Sequence, residues 1–233
     1  MKRKIVIYEE FAYIFATVIL ALSVAIVTTT DLGLSMIVAP AYLLSEKLGF
    51  ITFGQAEYIV QGILYIIFCF IVKKFRYVYL IAFGTSLFYG FVLDCWQTLI
   101  PVFDSEIVEP GSYALWARLL LLCVGVVITA FSIALFFRVY ICPQMIDLIP
   151  QKLAEHFRIG IAKFKTGYDI GFLILSILLS LIFFGKIRGL GIGTVVAALF
   201  NGTLIGVFGK FLDRHCEFRP LFPRFKQFIQ HDD

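Results

Sequence analysis

The chain has 233 residues and a formal net charge of +4, and it is 61% hydrophobic but only 15% charged. A soluble domain is about half apolar and a quarter charged, and a single core of this size has no room for so much apolar surface, so these values exclude a soluble globular fold. The basic residues lie between apolar runs rather than on one face, which also argues against a nucleic-acid-binding protein.

Six charge-poor stretches are long enough to cross a bilayer, because a membrane-spanning helix needs about 20 mostly apolar residues. We place them at 8–30, 53–72, 77–99, 114–138, 166–185 and 189–211. The first stretch follows a basic start, as in a signal peptide, but it is too long for one and no A-x-A-like cleavage site follows it. The sequence therefore predicts an all-α membrane protein with six transmembrane helices, forming a single integral membrane domain over 1–233.

The distribution of lysine and arginine predicts the orientation, because cytoplasmic loops carry more of these residues than external loops do. With the amino terminus inside, 16 of the 20 basic residues fall in the cytoplasmic segments 1–7, 73–76, 138–165 and 210–233. The loop that carries Asp104, Glu106 and Glu109 then faces outward. We therefore predict a multi-pass protein of the plasma membrane with both termini in the cytoplasm, and a cysteine at Ser105 should react with label from outside the cell.

The two halves of the chain match when one is shifted along the other by 109 to 112 positions. The matched pairs are 35–40 with 144–150, Gly49 with Gly160, Phe53 with Phe164, and 87–90 with 199–202. Each half, 8–99 and 114–211, contains three spans, so the second half enters the membrane in the opposite orientation; 212–233 forms a cytoplasmic tail. Inverted repeats are typical of transporters whose binding site lies near the midplane. The alternative is a duplication that only built a stable helix bundle.

The segments that follow the first and fourth spans, 31–49 and 142–160, are too short and too polar to span the membrane, yet too apolar for ordinary loops. Proline and glycine interrupt both of them. We interpret them as interfacial or re-entrant helices, since irregular backbone at membrane depth is tolerated only where protein or a wet cavity surrounds it. For 148–159, an amphipathic helix on the membrane surface is an equal alternative.

Three stretches resemble the YczE/YyaS/YitT family of bacterial membrane proteins. They are Asp-Leu-Gly-Leu-Ser-Met-Ile-Val-Ala-Pro at 31–40, Thr-Phe-Gly-Gln-Ala-Glu-Tyr at 52–58, and Gly-Ile-Gly-Thr at 191–194 with Asn-Gly at 201–202. The resemblance runs from about 8 to 213 and implies a protein built from repeated modules. It brings no substrate with it, and the family's small-residue, proline, tryptophan and aspartate pattern after the first helix is replaced here at 34–37.

A carboxylate within an apolar span is a functional candidate, because a charge at mid-bilayer costs at least about 2.5–3.5 kcal/mol. Glu57 is the first such residue, with Gln55 two positions before it and Gln61 on the same helix face at i+4. Tyr168 and Asp169 occupy the corresponding place in the second half. Together these side chains suit a cationic or hydrogen-bonding ligand, or a proton. The alternative is that both carboxylates only favour a helix dipole.

Three further polar residues complete the set of candidate substrate-binding residues. Asn201 lies within the sixth span, and Asp31 and Gln144 belong to the two linking segments. A buried asparagine more often bonds another helix than a ligand. Gly202 and Gly206 form a Gly-x-x-x-Gly pair, which predicts a close helix contact within the protein or in a homodimer.

The favoured function is a small transporter, or permease, for an unidentified small solute. The alternatives are a membrane-embedded binding subunit of a larger transporter and a scaffold that transports nothing.

The chain has no Walker loop, no H-E-x-x-H and no Gly-x-Ser-x-Gly, so we predict no enzymatic activity. The five cysteines have no C-x-x-C spacing, and we predict neither a metal site nor a cofactor. The expected partners are the lipid bilayer and a small-molecule ligand. We expect Glu57 to face a polar cavity between the two halves.

Overall fold

The computed structural model describes residues 5–73, 76–103, 108 and 110–232, and within these ranges all side chains except those of Ala162 and 230–232. The acidic residues Asp104, Glu106 and Glu109, and the labelling position Ser105, lie outside the described residues. The described part of the chain forms nine helices: α1 (Glu9–Thr30), α2 (Ala39–Leu48), α3 (Phe53–Val72), α4 (Tyr77–Leu99), α5 (Leu115–Phe136), α6 (Met145–Phe157), α7 (Ile161–Phe184), α8 (Ile192–His215) and α9 (Pro223–Asp232).

Six of these helices, α1, α3, α4, α5, α7 and α8, are long and apolar enough to cross a membrane. The bounds of α3 and α4 coincide with the predicted spans. Helix α7 begins at Ile161, before the predicted 166, because it continues through Lys163 and Lys165. A search for apolar stretches leaves out these two charged residues, but the helix itself begins before its apolar part does. Helix α8 likewise extends past 211 to His215.

Two short strands bring the ends of the chain together. Strand β1 (Ile5–Tyr8) pairs in parallel with β2 (Cys216–Arg219), with Ile5 opposite Cys216 and Tyr8 opposite Arg219. The prediction of an all-α protein is wrong in this detail, because the isoleucine and valine residues of β1 favour strand structure. The pairing also places both ends of the helical region on one side of the molecule. We call this side the terminal face and the other side the opposite face.

The carboxylates at the start of α1 hold the carboxyl-terminal segment against the terminal face. Glu10 accepts hydrogen bonds from the backbone N–H groups of Leu221 at 2.8 Å and Phe222 at 3.0 Å, and from the Tyr140 hydroxyl at 2.6 Å. Glu9 is buried, and it accepts from Lys226 Nζ at 2.8 Å and from the Tyr140 N–H at 3.0 Å. Burial and the Glu10 carboxylate raise the pKa of Tyr140, so its hydroxyl remains a donor. These contacts join the predicted tail to the helical region at 221–226.

Eight of the nine helices divide by their packing into two bundles, and α9 packs on α4. Helices α1, α4, α5 and α8 form the support bundle, in which α1 packs on α5 and α4, and α5 packs on α8. The half-helix bundle consists of α2, α3, α6 and α7, and here each short helix packs on both long ones. The two bundles meet where α4 packs against α3 and α6.

Helix α6 begins halfway along its neighbours rather than at a membrane face. Its first N–H group, on Met145, donates to Ser86 Oγ at 3.1 Å. Ser86 lies nine residues after the start of α4, or about 14 Å along that helix. The other end of α6 returns to the terminal face, where the rings of Phe157 and Phe164 stack near the start of α7. Segment 137–158 therefore enters the helical region from the terminal face and returns to that face.

The segment before α2 enters from the opposite face in the same manner. Its Met36 carbonyl accepts a hydrogen bond from Ser176 at 3.2 Å, and Ser176 lies eight residues, or about 12 Å, before the end of α7. Helix α2 then returns to the opposite face, where Lys47 Nζ donates to the carbonyl of Phe183 at 3.1 Å. The fold thus contains two short helices that enter it from opposite faces.

Glycines allow the segment before α2 to cross closely over the start of α8. Gly33 has φ +106°, and a Cβ there would meet the Gly191 nitrogen at 2.3 Å. The N–H of Gly193 donates to the Leu32 carbonyl at 2.7 Å, and Thr194 Oγ1 donates to the Leu34 carbonyl at 2.6 Å. The Gly-Ile-Gly-Thr stretch is therefore the place where the second half of the chain binds the first linking segment.

Candidate functional site

The most extensive buried polar contacts centre on Gln61, which lies eight residues into α3 and is fully buried. Its Nε2 donates to Gln144 Oε1 at 2.8 Å and to Glu57 Oε2 at 3.3 Å. Its Oε1 accepts a hydrogen bond from the Ser86 hydroxyl at 2.5 Å. We call these four side chains, Gln61, Glu57, Ser86 and Gln144, the Gln61 network. It joins α3 of the half-helix bundle to α4 of the support bundle.

The Gln61 network also holds the amino-terminal end of α6. Ser86 Oγ accepts from the N–H of Met145, and Gln61 Oε1 accepts from the N–H of Ile146 at 3.4 Å. On the other side of α6, the Tyr168 hydroxyl donates to the Ile146 carbonyl at 3.2 Å. The first N–H groups of a helix have no partner within the helix, and these side chains provide partners for two of them. Side chains from α3, α4 and α7 therefore converge on one short helix end.

Glu57 is the incompletely paired member of the network. The residue is only 3% exposed, and its Oε1 atom has no hydrogen-bond partner among the described residues. The other carboxyl oxygen receives one long bond, from Gln61. A buried charge requires close pairing, and a single amide donor provides little of it. Glu57 therefore stands apart from the satisfied polar groups around it.

A second carboxylate, Asp147, lies on α6 within electrostatic range of Glu57. Its own charged neighbours are Lys165 and Asp169 of α7. Lys165 and Asp169 pair with each other at 3.5 Å, one turn apart. Lys165 thus faces Asp147 from the α7 side, and Glu57 forms no ion pair among the described residues.

Four of the eight predicted site residues meet at this place: Glu57, Gln61, Gln144 and Tyr168. Asp169 lies one residue further along α7, in its pair with Lys165. The direct contact of Gln61 with Gln144 links a residue of the second span to the second linking segment. Proximity along the sequence predicted the contact of Glu57 with Gln61, whereas the contact with Gln144 depends on the re-entrant path.

Gln55 has a different role, at the start of α3. Its side chain and that of Thr52 form a reciprocal capping box, each accepting from the backbone N–H of the other at 3.1 Å. Asp94 of α4 completes this end by accepting from the Thr52 hydroxyl at 2.6 Å and from the Gly54 N–H at 2.7 Å. Gln55 and Asp94 therefore fix the start of α3 against α4 and do not enter the Gln61 network.

Asp31 lies at the opposite face, where it ends α1 with φ 47° and its carboxylate is 3.9 Å from Arg118. Arg118 also donates to the carbonyls of Thr30 at 2.6 Å and Asp31 at 3.0 Å, which closes the carboxyl end of the helix. A very small cavity of about 10 Å³ adjoins Asp31, Gly33 and Tyr42. This is about the space for one water molecule, so these residues do not enclose a ligand.

Asn201 is apart from the Gln61 network, on α8, and its buried Oδ1 atom has no hydrogen-bond partner among the described residues. Added Cβ atoms at Gly202 and Gly206 would meet nothing within 4 Å. The predicted close helix contact at these glycines is therefore absent from the described part of the chain. A contact with a second copy stays a prediction.

Sequence reasoning missed Ser86 and Asp147. Ser86 follows Thr85 in the middle of an otherwise apolar span, and such a pair is a signal for buried hydrogen bonding. Thr85 donates to the Cys142 carbonyl at 3.1 Å and accepts from the Tyr13 hydroxyl at 2.7 Å, so it supports the same re-entrant segment. Asp147 lies in the matched stretch 144–150, and its signal is a carboxylate between two apolar residues.

The chemistry available at the Gln61 network is hydrogen bonding and proton or cation binding. The described residues contain no group of three or more histidine, cysteine, aspartate or glutamate side chains that could hold a metal ion.

Comparison with known proteins finds a match of residues 7–210 to the model of a family of unknown function, DUF6198. No curated protein and no solved structure matches the chain.

Proposed function

We propose that this chain, which belongs to the family of unknown function DUF6198, is a small membrane transporter for a polar solute. The observation that carries the proposal is the pair of short helices, α2 and α6, that enter the fold from opposite faces. Transporters use interrupted helices of this kind to build a binding site near the midplane. The Gln61 network lies at the inner end of α6 and provides the polar groups for such a site.

The packing of the helices supports an inverted repeat. Each half has the same order of one long helix, one short helix and two long helices. Exchanging α1 with α5, α2 with α6, α3 with α7 and α4 with α8 converts most observed helix contacts into other observed contacts. For example, the packing of α1 on α4 becomes that of α5 on α8, and the packing of α2 on α7 becomes that of α6 on α3. The exchange leaves each of the two bundles unchanged as a set.

Two helix contacts break this correspondence, and both lie between the bundles. Helix α4 packs on α3 and α6, but no comparable packing of α8 on α7 or α2 occurs among the described residues. In the first half, a Cβ on Gly54 would meet the Gly90 carbonyl at 2.0 Å, whereas the repeat partner of Gly90, Gly202, has open space. One seam is closed and its counterpart is open. This asymmetry supports a mechanism in which the half-helix bundle rocks on the support bundle and exposes the site to each face in turn.

The test is a ligand screen followed by a transport assay. The purified protein is screened against a metabolite library by thermal shift, and each stabilising compound is then tested for uptake into proteoliposomes. We expect at least one compound to stabilise the protein and to enter the vesicles only when the protein is present. Compounds that bind without crossing would replace transport by the function of a binding subunit. If no compound binds or crosses, the scaffold is the correct function.

The unpaired oxygen of Glu57 favours transport over the scaffold. A membrane scaffold gains stability when every buried polar atom is paired, and a half-satisfied network is a disadvantage to it. A binding site, in contrast, must leave groups free for the ligand. The relation to the YczE/YyaS/YitT proteins and the location in the plasma membrane stay predictions alongside this proposal.

We further propose that the terminal face is cytoplasmic, because 12 of the 16 lysine and arginine residues that the structure describes lie in the segments on this side. In a background without the native cysteines, Ser112→Cys should react with a membrane-impermeant maleimide in intact cells. Arg224→Cys, on the same background, should react only after the cells are opened. Both side chains are exposed, so access depends on the side of the membrane. The reverse labelling pattern would invert the topology.

A further inference from the structure

We propose that Glu57 binds either a proton or a small organic cation, so that the solute carried by the proposed transporter is cationic and is exchanged for a proton. This inference rests on the proposed function and adds the class of the solute and the coupling ion. It begins from the one carboxyl oxygen in the Gln61 network that has no partner.

Burial determines which form of the Glu57 carboxyl group is favoured. The side chain is almost completely buried, and the one hydrogen bond that it accepts from the described residues comes from the Gln61 amide at 3.3 Å. An ionised carboxylate with this single neutral donor is unfavourable inside a membrane protein, whereas the protonated acid is neutral. A bound proton therefore neutralises the Glu57 carboxylate, and a cation beside Oε1 would neutralise it equally when the proton leaves.

The charged and polar groups on the helices around Glu57 determine which ions this site attracts. From α6 the group is Asp147, which is a further negative charge. From α4 it is Tyr89, a neutral side chain; Asp94 of that helix is bound instead to Thr52 and Gly54. From α2, Tyr42 packs on Phe53, one turn before Glu57. Lys152 of α6 pairs with Glu155 at 3.5 Å, and no lysine or arginine among the described residues forms an ion pair with Glu57.

The remaining neighbour is α7, whose Lys165 pairs with Asp169 and acts on Asp147. This lysine balances the α7 side only. Two carboxylates, Glu57 and Asp147, then share one region, and an anionic solute would be repelled there. Tyr89 and Tyr168 add aromatic rings within electrostatic range of Asp147, and aromatic faces attract organic cations.

The exchange balances in atoms and charge. The protonated acid of Glu57 loses its proton as the cation arrives, and the carboxylate then pairs with the positive group of the solute. No bond of the solute breaks, and no electrons are transferred. One positive charge enters the site for each proton that leaves, so the buried site keeps the same net charge in both states, which limits the electrostatic cost of carrying it across the membrane.

The experiment measures protons released when a cation binds. Detergent-purified full-length protein in weakly buffered solution with a pH indicator is titrated with tetramethylammonium, ethylammonium and guanidinium chloride, and with potassium chloride as the salt control. We expect saturable release of about one proton per chain with at least one organic cation. The apparent affinity for that cation should fall about tenfold for each unit of decreasing pH where proton and cation compete.

Glu57→Gln is the test variant, since glutamine resembles the protonated acid in shape and removes the exchangeable proton. It should abolish proton release. The matched control is Glu46→Gln, in which the carboxylate of α2 that pairs with Arg188 at 2.9 Å is removed outside the Gln61 network. This control should release protons as the wild type does. If the glutamine variant does not fold, the pH dependence of cation affinity in the wild-type protein still decides the question.

Three results would overturn the inference. Cation binding that releases no proton and does not vary with pH removes the exchange. Absence of proton release with all three organic cations, together with uptake of a neutral or anionic solute from the metabolite screen, removes the cationic class and leaves transport intact. Absence of both proton release and any transported solute removes this inference and the proposed function together.

Discussion

Replacing Gln61 with leucine should lower the free energy of unfolding by about 3 kcal/mol or more, because several buried partners would lose their hydrogen bonds at once. Leucine fills a similar volume but offers no donor or acceptor. Ser86, Gln144 and the N–H of Ile146 would each lose a partner, and Glu57 would lose its one donor. Each buried polar group left unpaired costs about 1–3 kcal/mol, although the separate costs do not add fully.

The matched control is Gln55→Leu, another glutamine of α3 located less than two turns before Gln61. It removes the Gln55 half of the capping box, which is the hydrogen bond from the Thr52 N–H, and this should cost about 1 kcal/mol. Thermal melting and denaturant titration of the purified variants provide the comparison. If Gln61→Leu is as stable as Gln55→Leu, the Gln61 network does not hold α6 in place.

The second large effect is expected at the crossing of α3 and α4. Gly90→Ala should destabilise the closed seam by about 1–3 kcal/mol, since overpacking of a tight contact forces the backbones apart. A Cβ at Gly90 would meet the Gly54 carbonyl at 2.7 Å and the Tyr58 ring at 2.9 Å. Because the first contact is with backbone, a side-chain rotation cannot relieve it.

The repeat provides the control for this substitution. Gly202 is the sequence partner of Gly90 in the second half, and a Cβ there would meet nothing within 4 Å. Gly202→Ala should therefore be neutral, or stabilising by up to about 1 kcal/mol, since alanine favours helix more than glycine does. The two purified variants are compared by thermal melting. Equal melting temperatures for Gly90→Ala and Gly202→Ala would show that the two seams are packed alike.

The sequence predicts the membrane helices well because hydropathy acts over a whole span. It predicts their ends less well, because a helix such as α7 continues through Lys163 and Lys165 beyond the apolar region. Strand β1 pairs with β2 from the other end of the chain, and a local sequence pattern cannot predict a contact between residues so far apart in the sequence. Such pairings depend on where the spans bring the chain ends.

The candidate site shows the same division. Glu57 and Gln61 share a helix face, so their contact follows from helix periodicity alone. Gln61 meets Gln144 only because the second linking segment turns into the helical region. From the sequence, a helix on the membrane surface was an equal alternative for this segment. Gln55 illustrates the converse, since it is near Glu57 in the sequence but its side chain closes the start of α3.

The most direct test of the rocking mechanism measures two distances by pulsed electron paramagnetic resonance. One spin-label pair, Ile59→Cys with Phe91→Cys, crosses the closed seam of α3 and α4. The other, Ile170→Cys with Thr203→Cys, occupies the repeat-related positions on α7 and α8. All four side chains are exposed, so the labels should not disturb the Gln61 network. Both pairs are placed in a background without the native cysteines, and each is measured in lipid at acidic and alkaline pH and with any solute found by the screen. The mechanism predicts two distance populations for each pair, with one pair lengthening as the other shortens. A single unchanged distance for both pairs under every condition would contradict it.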